Sequence, residues 1–67
     1  MEEIIFLVEE SVEGYSARAL GYSIFVQGDT IEELKSQIQD AIKCHFETDT
    51  PKLARLHFVR EEQLYCA

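Results

Sequence analysis

Few residues of this chain have types that could do chemistry. They are two histidines (His45, His57), two cysteines (Cys44, Cys66), the carboxylates Glu9, Glu10 and Glu13, and a Gln27-Gly28-Asp29-Thr30 corner. Paired carboxylates run acid–base chemistry when burial pulls their pKa values apart, but a short hairpin in a small domain buries little. The three glutamates therefore read as a solvated cluster suited to a basic partner. Cys44 and His45 are adjacent on a predicted helix, about 100° apart around its axis, so they cannot easily face one ion together. Cys44 and Cys66 lack the C-x-x-C spacing of a metal or redox site. No metal and no cofactor is expected. His45 falls on an apolar stripe with no Ser, Cys or Asp spaced to work with it, and reads as a histidine at the edge of the core. His57 sits on the polar side of the last predicted strand, as a solvated or interface residue. The competing reading is a small enzyme or ligand carrier using His45, His57 and Tyr15; no local spacing favours it, so no catalytic residue is assigned.

A glycine before a helix N-terminus can hold phosphate through backbone amides. Here Asp29, Glu32 and Glu33 put negative charge where the anion would go. Neither G-x-x-x-x-G-K-[ST] nor G-x-G-x-x-G is present. The stretch reads instead as a strand-to-helix corner. Thr30 and Glu33 match a capping box, with Asp29 as a rival cap one residue earlier. Glu32 and Glu33 complement the positive end of the helix dipole, and Lys43 the negative end. Arg18 and Tyr22, either side of a turn at Gly21, are candidate recognition residues for a partner.

The elements that must position these residues follow from the hydrophobic pattern. Ile4 to Val8 is an unbroken apolar run, the pattern of a strand buried on both faces. Glu9 to Gly14 reads as a hairpin connection. Tyr15 to Leu20 alternates as a second strand, with Tyr15, Ala17 and Ala19 on one face. Tyr22 to Gln27 makes a third. Ile31, Leu34, Ile38, Ala41, Ile42, His45 and Phe46 form one helical stripe, and Thr48 to Pro51 end that helix. Leu53 to Arg60 alternates again, with Ala54, Leu56 and Phe58 inward and Arg55, His57 and Arg60 mostly outward. The EEQLYCA tail continues that strand or frays.

The order is β-β-β-α-β in one α+β domain over residues 1–67. Short loops make the first three strands an antiparallel meander. A right-handed crossover then places the fourth strand parallel to the first, giving the order 3-2-1-4. One helix covers one face only. Ile5, Leu7, Phe25 and Val59 point the other way, and an uncovered apolar face of that kind marks an interface. A homodimer, or a higher homo-oligomer, packed through it is expected.

Composition bounds the function. A chain of 67 residues buries only about 60% of the surface that it exposes when unfolded, which disfavours deep pockets and large cofactor sites. The net charge is −7. Its excess lies in residues 1–33, where Glu2, Glu3, Glu9, Glu10, Glu13, Asp29, Glu32 and Glu33 face a single base, Arg18. Such a surface repels phosphate backbones and attracts basic partners, so direct nucleic-acid binding is not expected. No apolar run approaches the ~18 residues of a membrane span, and the acidic start lacks the basic segment of a signal peptide. A cytoplasmic protein with no membrane contact is expected.

The stretches EGYSARALGYSIFVQGDTIEEL (residues 13–34) and IQDAIKCHF (38–46) resemble the HicB-like family of small bacterial proteins. Gly14-Tyr15, Gln27-Gly28-Asp29-Thr30, Glu32-Glu33 and Ala41-Ile42 match that family's strand, corner and helix words, and the likeness covers about residues 4–60. Two features depart from the pattern. Arg18-Ala19-Leu20-Gly21-Tyr22 replaces the family's Cys-Pro-x-Leu-Pro-Gly-Cys segment, and no helix-turn-helix or ribbon-helix-helix follows the fourth strand. The resemblance implies a partial ribonuclease-H-like fold without its metal-binding active site. It also implies a non-enzymatic module, an antitoxin that masks a small basic HicA-type ribonuclease toxin, or an orphan relative without operator binding. Glu9, Glu10, Glu13, Arg18 and Tyr22 are the expected partner contacts.

IIFLVEE, SARALGYSIF and RLHFVREE are similar to a stand-alone branch of the family often labelled a 2-oxoisovalerate dehydrogenase E1 subunit β. That subunit must fold a domain of roughly 300 residues around thiamine diphosphate, far beyond this chain's core. A small subunit or adaptor of a larger metabolic complex is the alternative function.

Overall fold

The computed structural model describes residues 2–60 and 63–66. Its elements are β1 (Glu3–Ser11), β2 (Gly14–Ala19), β3 (Phe25–Gly28), α1 (Ile31–His45) and β4 (Leu53–Val59). The four strands form one mixed sheet in the order β3-β2-β1-β4. β1 is antiparallel to β2 and parallel to β4, and β2 is antiparallel to β3. The fold is α+β with the expected β-β-β-α-β order and strand sequence 3-2-1-4.

The unbroken apolar run explains the central place of β1. Ile4, Phe6 and Val8 are buried beneath α1, while Ile5 and Leu7 between them are half-buried on the other face. Ala19 and Leu56 flank Phe6 in the register, and Ala17 and Phe58 flank Val8. Small residues on β2 let α1 approach closely, and Leu34, Ile38 and Ile42 fill the space above them. The stripe differs from expectation at its end. His45 is exposed, and only Phe46 next to it packs on the core.

Two boundaries shift. β1 continues through Ser11, so the first connection is only Val12-Glu13, and Gly14 takes a φ of 133° to close it. The third strand begins at Phe25, not Tyr22: the Ala19 amide donates to Ile24 O (3.0 Å), closing a loop at Leu20–Ser23 in which Gly21 has φ 83°. Alternation survives the loop, because Ile24 is buried beside Ala19 while Phe25 turns outward.

Thr30 caps α1 as expected, its Oγ1 accepting from Glu33 N at 3.1 Å. The reciprocal bond reaches one residue further than a standard capping box, from Asp29 N to Glu33 Oε2 at 2.7 Å. Gly28 and Gly14 are steric requirements of this corner. A Cβ on Gly28 would lie 2.7 Å from Leu34 N, and one on Gly14 would lie 2.6 Å from Gly28 O. The helix is thereby held over β2 and β3. Residues Gln63–Cys66 are irregular and exposed; Glu61 and Glu62, part of the expected continuation, lie outside the described residues.

Candidate functional site

Strand alternation builds the surface opposite α1, and the register aligns its rows. One row crosses all four strands: Phe25, Arg18, Leu7 and His57. A second holds Leu20, Ile5 and Arg55, with the Leu20 amide donating to Ile5 O at 2.9 Å. A third holds Gln27, Ser16, Glu9 and Val59. All four residues expected on this face, Ile5, Leu7, Phe25 and Val59, are there. Phe25 is 61% exposed and Val59 49% exposed. Leu20 and Leu53 enlarge the patch. Both follow the alternation of their strands, Leu20 in phase with Arg18 and Leu53 in phase with Arg55 and His57, although Leu20 itself stands in the turn.

Ile5 and Leu7 form the half-buried centre of the face on β1, Arg18 stands beside them on β2, and the exposed Phe25 and Val59 lie on the two edge strands, so apolar and charged side chains are interleaved across it. On one border Arg55 donates to Glu3 through Nη2 (3.1 Å) and Nε (3.4 Å). The hydrogen bond and then the charge of Glu3 raise the Arg55 pKa, slightly opposed by desolvation. The guanidinium is a fixed positive charge at any working pH.

The other expected residues are not gathered into one site. Glu9 lies on the open face, Glu10 alternates to the helix side opposite Tyr15, and Glu13 occupies the hairpin turn. A strand that continues through Ser11 must separate adjacent side chains in this way. Together they make an acidic end of the molecule, not a carboxylate pair. Arg18 joins the open face, whereas Tyr22 sits on the helix side in an edge-to-face cluster with His45 (5.9 Å) and Phe46 (5.3 Å). His45 and Phe46 meet at 4.9 Å. Thus His45 is an exposed member of an aromatic cluster, not a core-edge residue. His57 lies on the open face, away from both His45 and Tyr15 in the strand register.

Among the described residues, no group of three or more His, Cys, Asp or Glu side chains is placed to hold a metal ion. Both cysteines are free and exposed. No described helix is long and apolar enough to cross a membrane.

A groove went unread in the sequence. α1 lies over β2 and β3, so a trough of about 510 Å³ opens between it and β4. Ile38, Ile42, Ala54 and Leu56 floor it, and Lys35, Lys43 and Lys52 stand on its rims. The i, i+4, i+8 row of Lys35, Gln39 and Lys43 was the available signal.

These features define a small α+β protein with one helix-covered sheet face and one open one. The chain belongs to the UPF0150 protein family. It is 54% identical over 55 residues to a UPF0150 protein of Archaeoglobus fulgidus, covering 81% of this chain and 83% of that protein. It is 48% identical over 61 residues to a UPF0150 protein of Thermotoga maritima, covering 90% and 87%. No protein-family model and no solved structure matches it.

Proposed function

We propose that this chain is a non-enzymatic, HicB-like protein-binding module of the cytoplasm. It pairs with a second copy through the open sheet face, and its acidic hairpin end steers a small basic partner toward it. A HicA-type ribonuclease toxin, masked by binding, has the required size and charge. The observation that carries this reading is the open face itself. It aligns Phe25, Leu7, Ile5 and Val59 on strands whose other side already supplies the core. Exposed apolar residues grouped on one face favour burial against another protein. The excess of acids in residues 1–33 adds the electrostatic half of the argument, because complementary charge raises encounter rate and selects partners.

The test is co-expression with the product of each gene adjacent to this chain's own, with growth rescue and co-purification of a small basic protein as readouts. The antitoxin reading expects both. Reversing Glu9, Glu10 and Glu13 together to Lys should slow association at least about tenfold at low salt and flatten its salt dependence. Binding to no neighbouring product, with no rescue, would remove that reading.

A second reading, an adaptor of a larger metabolic complex, is favoured by the sheet edge at β4, which among the described residues pairs with β1 alone. An unpaired edge can accept a strand from another chain. Capture of a large enzyme subunit in place of a small basic protein would select this reading.

A further inference from the structure

We infer that the lysine-rimmed groove between α1 and β4 receives the C-terminal segment of a second copy of this chain. The groove is an exception on an acidic protein. Three of the six bases, Lys35, Lys43 and Lys52, line it, and no acid does among the described residues. Lys52 Nζ is 3.8 Å from Glu2 Oε1, with both side chains widely exposed, so that contact is easily exchanged. Lys35 and Lys43 are eight residues apart on the helix, about 12 Å along its axis. An occupant that satisfies this trough carries negative charge and apolar side chains within a similar length.

The chain's own last residues have that chemistry. Glu61-Glu62-Gln63-Leu64-Tyr65 places two acids directly before two large apolar residues. Leu64 is 89% exposed and Tyr65 84% exposed, packed on nothing in the fold. From Glu61 to Tyr65 an extended chain spans about 13 Å, which matches the lysine spacing. Glutamates against the rim and Leu64 and Tyr65 against the half-buried Ala54 and Leu56 would satisfy both surfaces at once.

The donor is a second copy because the tail leaves from the wrong end to enter its own groove. Gln63 lies beside Glu10, Ser11 and Val12 at the hairpin end. The groove is closed by Thr50–Leu53, at the opposite end of β4. The contact lies on the helix side of the sheet, so it is separate from the open-face pairing proposed above.

Disulfide trapping between two marked full-length chains tests the contact. The receiving chain carries Gln39→Cys with Cys44→Ser and Cys66→Ser. The donating chain carries Cys44→Ser and keeps Cys66. A control receiver keeps Cys44 as its sole cysteine, about 140° away around the helix. In a glutathione redox buffer, the groove receiver should trap the donor several-fold more than the control. Lys43→Glu in the receiver should lower that yield roughly fivefold, the scale of one exposed ion pair lost, and Glu62→Lys in the donor should restore it. Equal yields from the groove and control receivers, or a yield indifferent to both charge changes, would overturn the inference.

Discussion

Gly28→Ala isolates the corner on which the fold turns. The backbone conformation there suits any residue, so the cost arises from contact alone. The added methyl would lie 2.7 Å from Leu34 N, 3.0 Å from Leu34 Cα and 3.2 Å from Glu33 C, all backbone atoms of α1. No rotamer change can relieve contacts with backbone. The first turn of the helix must move by several tenths of an ångström, loosening the 2.9 Å bond from Leu34 N to Thr30 O and the Thr30 cap beside it. Overpacking of this kind costs about 1–3 kcal/mol. Removing glycine's freedom from the unfolded chain returns about 0.4–1 kcal/mol. The net loss is therefore about 0–2.6 kcal/mol, centred near ~1.3, and the midpoint of thermal unfolding should fall by about 5–10 °C for a domain of this size. Urea unfolding followed by circular dichroism measures it, with an unchanged denaturant slope. A variant more stable than the parent would refute the close-approach argument, because the lost freedom of glycine would then outweigh any steric cost.

Other outcomes follow from the same structure. Thr30→Ala removes the oxygen that accepts from Glu33 N, and should cost about 1 kcal/mol in urea unfolding. Leu34→Ala empties a fully buried position in the core cluster that also holds Phe6 and Val8, and should cost about 2–5 kcal/mol, enough to leave a domain this small largely unfolded at 37 °C. Gly14→Ala combines a φ of 133° with a 2.6 Å approach to Gly28 O, so it should destabilise more than Gly28→Ala in the same assay.

The fold was legible because three signals agreed. An unbroken Ile4–Val8 run announced a central strand, alternation in Leu53–Arg60 announced a fourth strand that the right-handed crossover placed beside the first, and the Thr30–Glu33 cap placed the helix start. Those signals also set the residues of the open face, since alternation on a strand assigns faces without tertiary information. What remained hidden depended on lateral position. The contact between Gly28 and Leu34 fixes α1 over β2 and β3, and that offset opens the groove beside β4. Periodicity gives a helix's buried stripe but not its sideways placement on a sheet. The length of β1 was hidden for a related reason: Glu9, Glu10 and Ser11 look like turn residues, yet pairing with Gly14–Ser16 draws them into the ladder and splits Glu9 from Glu10. His45 fits the helical stripe by spacing, but it falls at the last helical residue, where its ring is exposed against Tyr22 and Phe46 and only Phe46 reaches the core.

The central claim is that the open sheet face is a docking surface. Sedimentation velocity of the full chain across the micromolar range, beside Phe25→Asp and Val59→Asp, tests it most directly. Both positions are about half exposed or more, so the substitutions leave the core intact and circular dichroism should be unchanged. Burying the exposed part of Phe25, roughly 120 Å² of a ~200 Å² side chain, offers about 3 kcal/mol per copy at ~25 cal/mol per Å². The parent should sediment as a dimer or larger, and each variant should weaken association at least about tenfold, as loss of a buried interface anchor does. A parent that stays monomeric throughout, or variants that associate as tightly as the parent, would contradict the account.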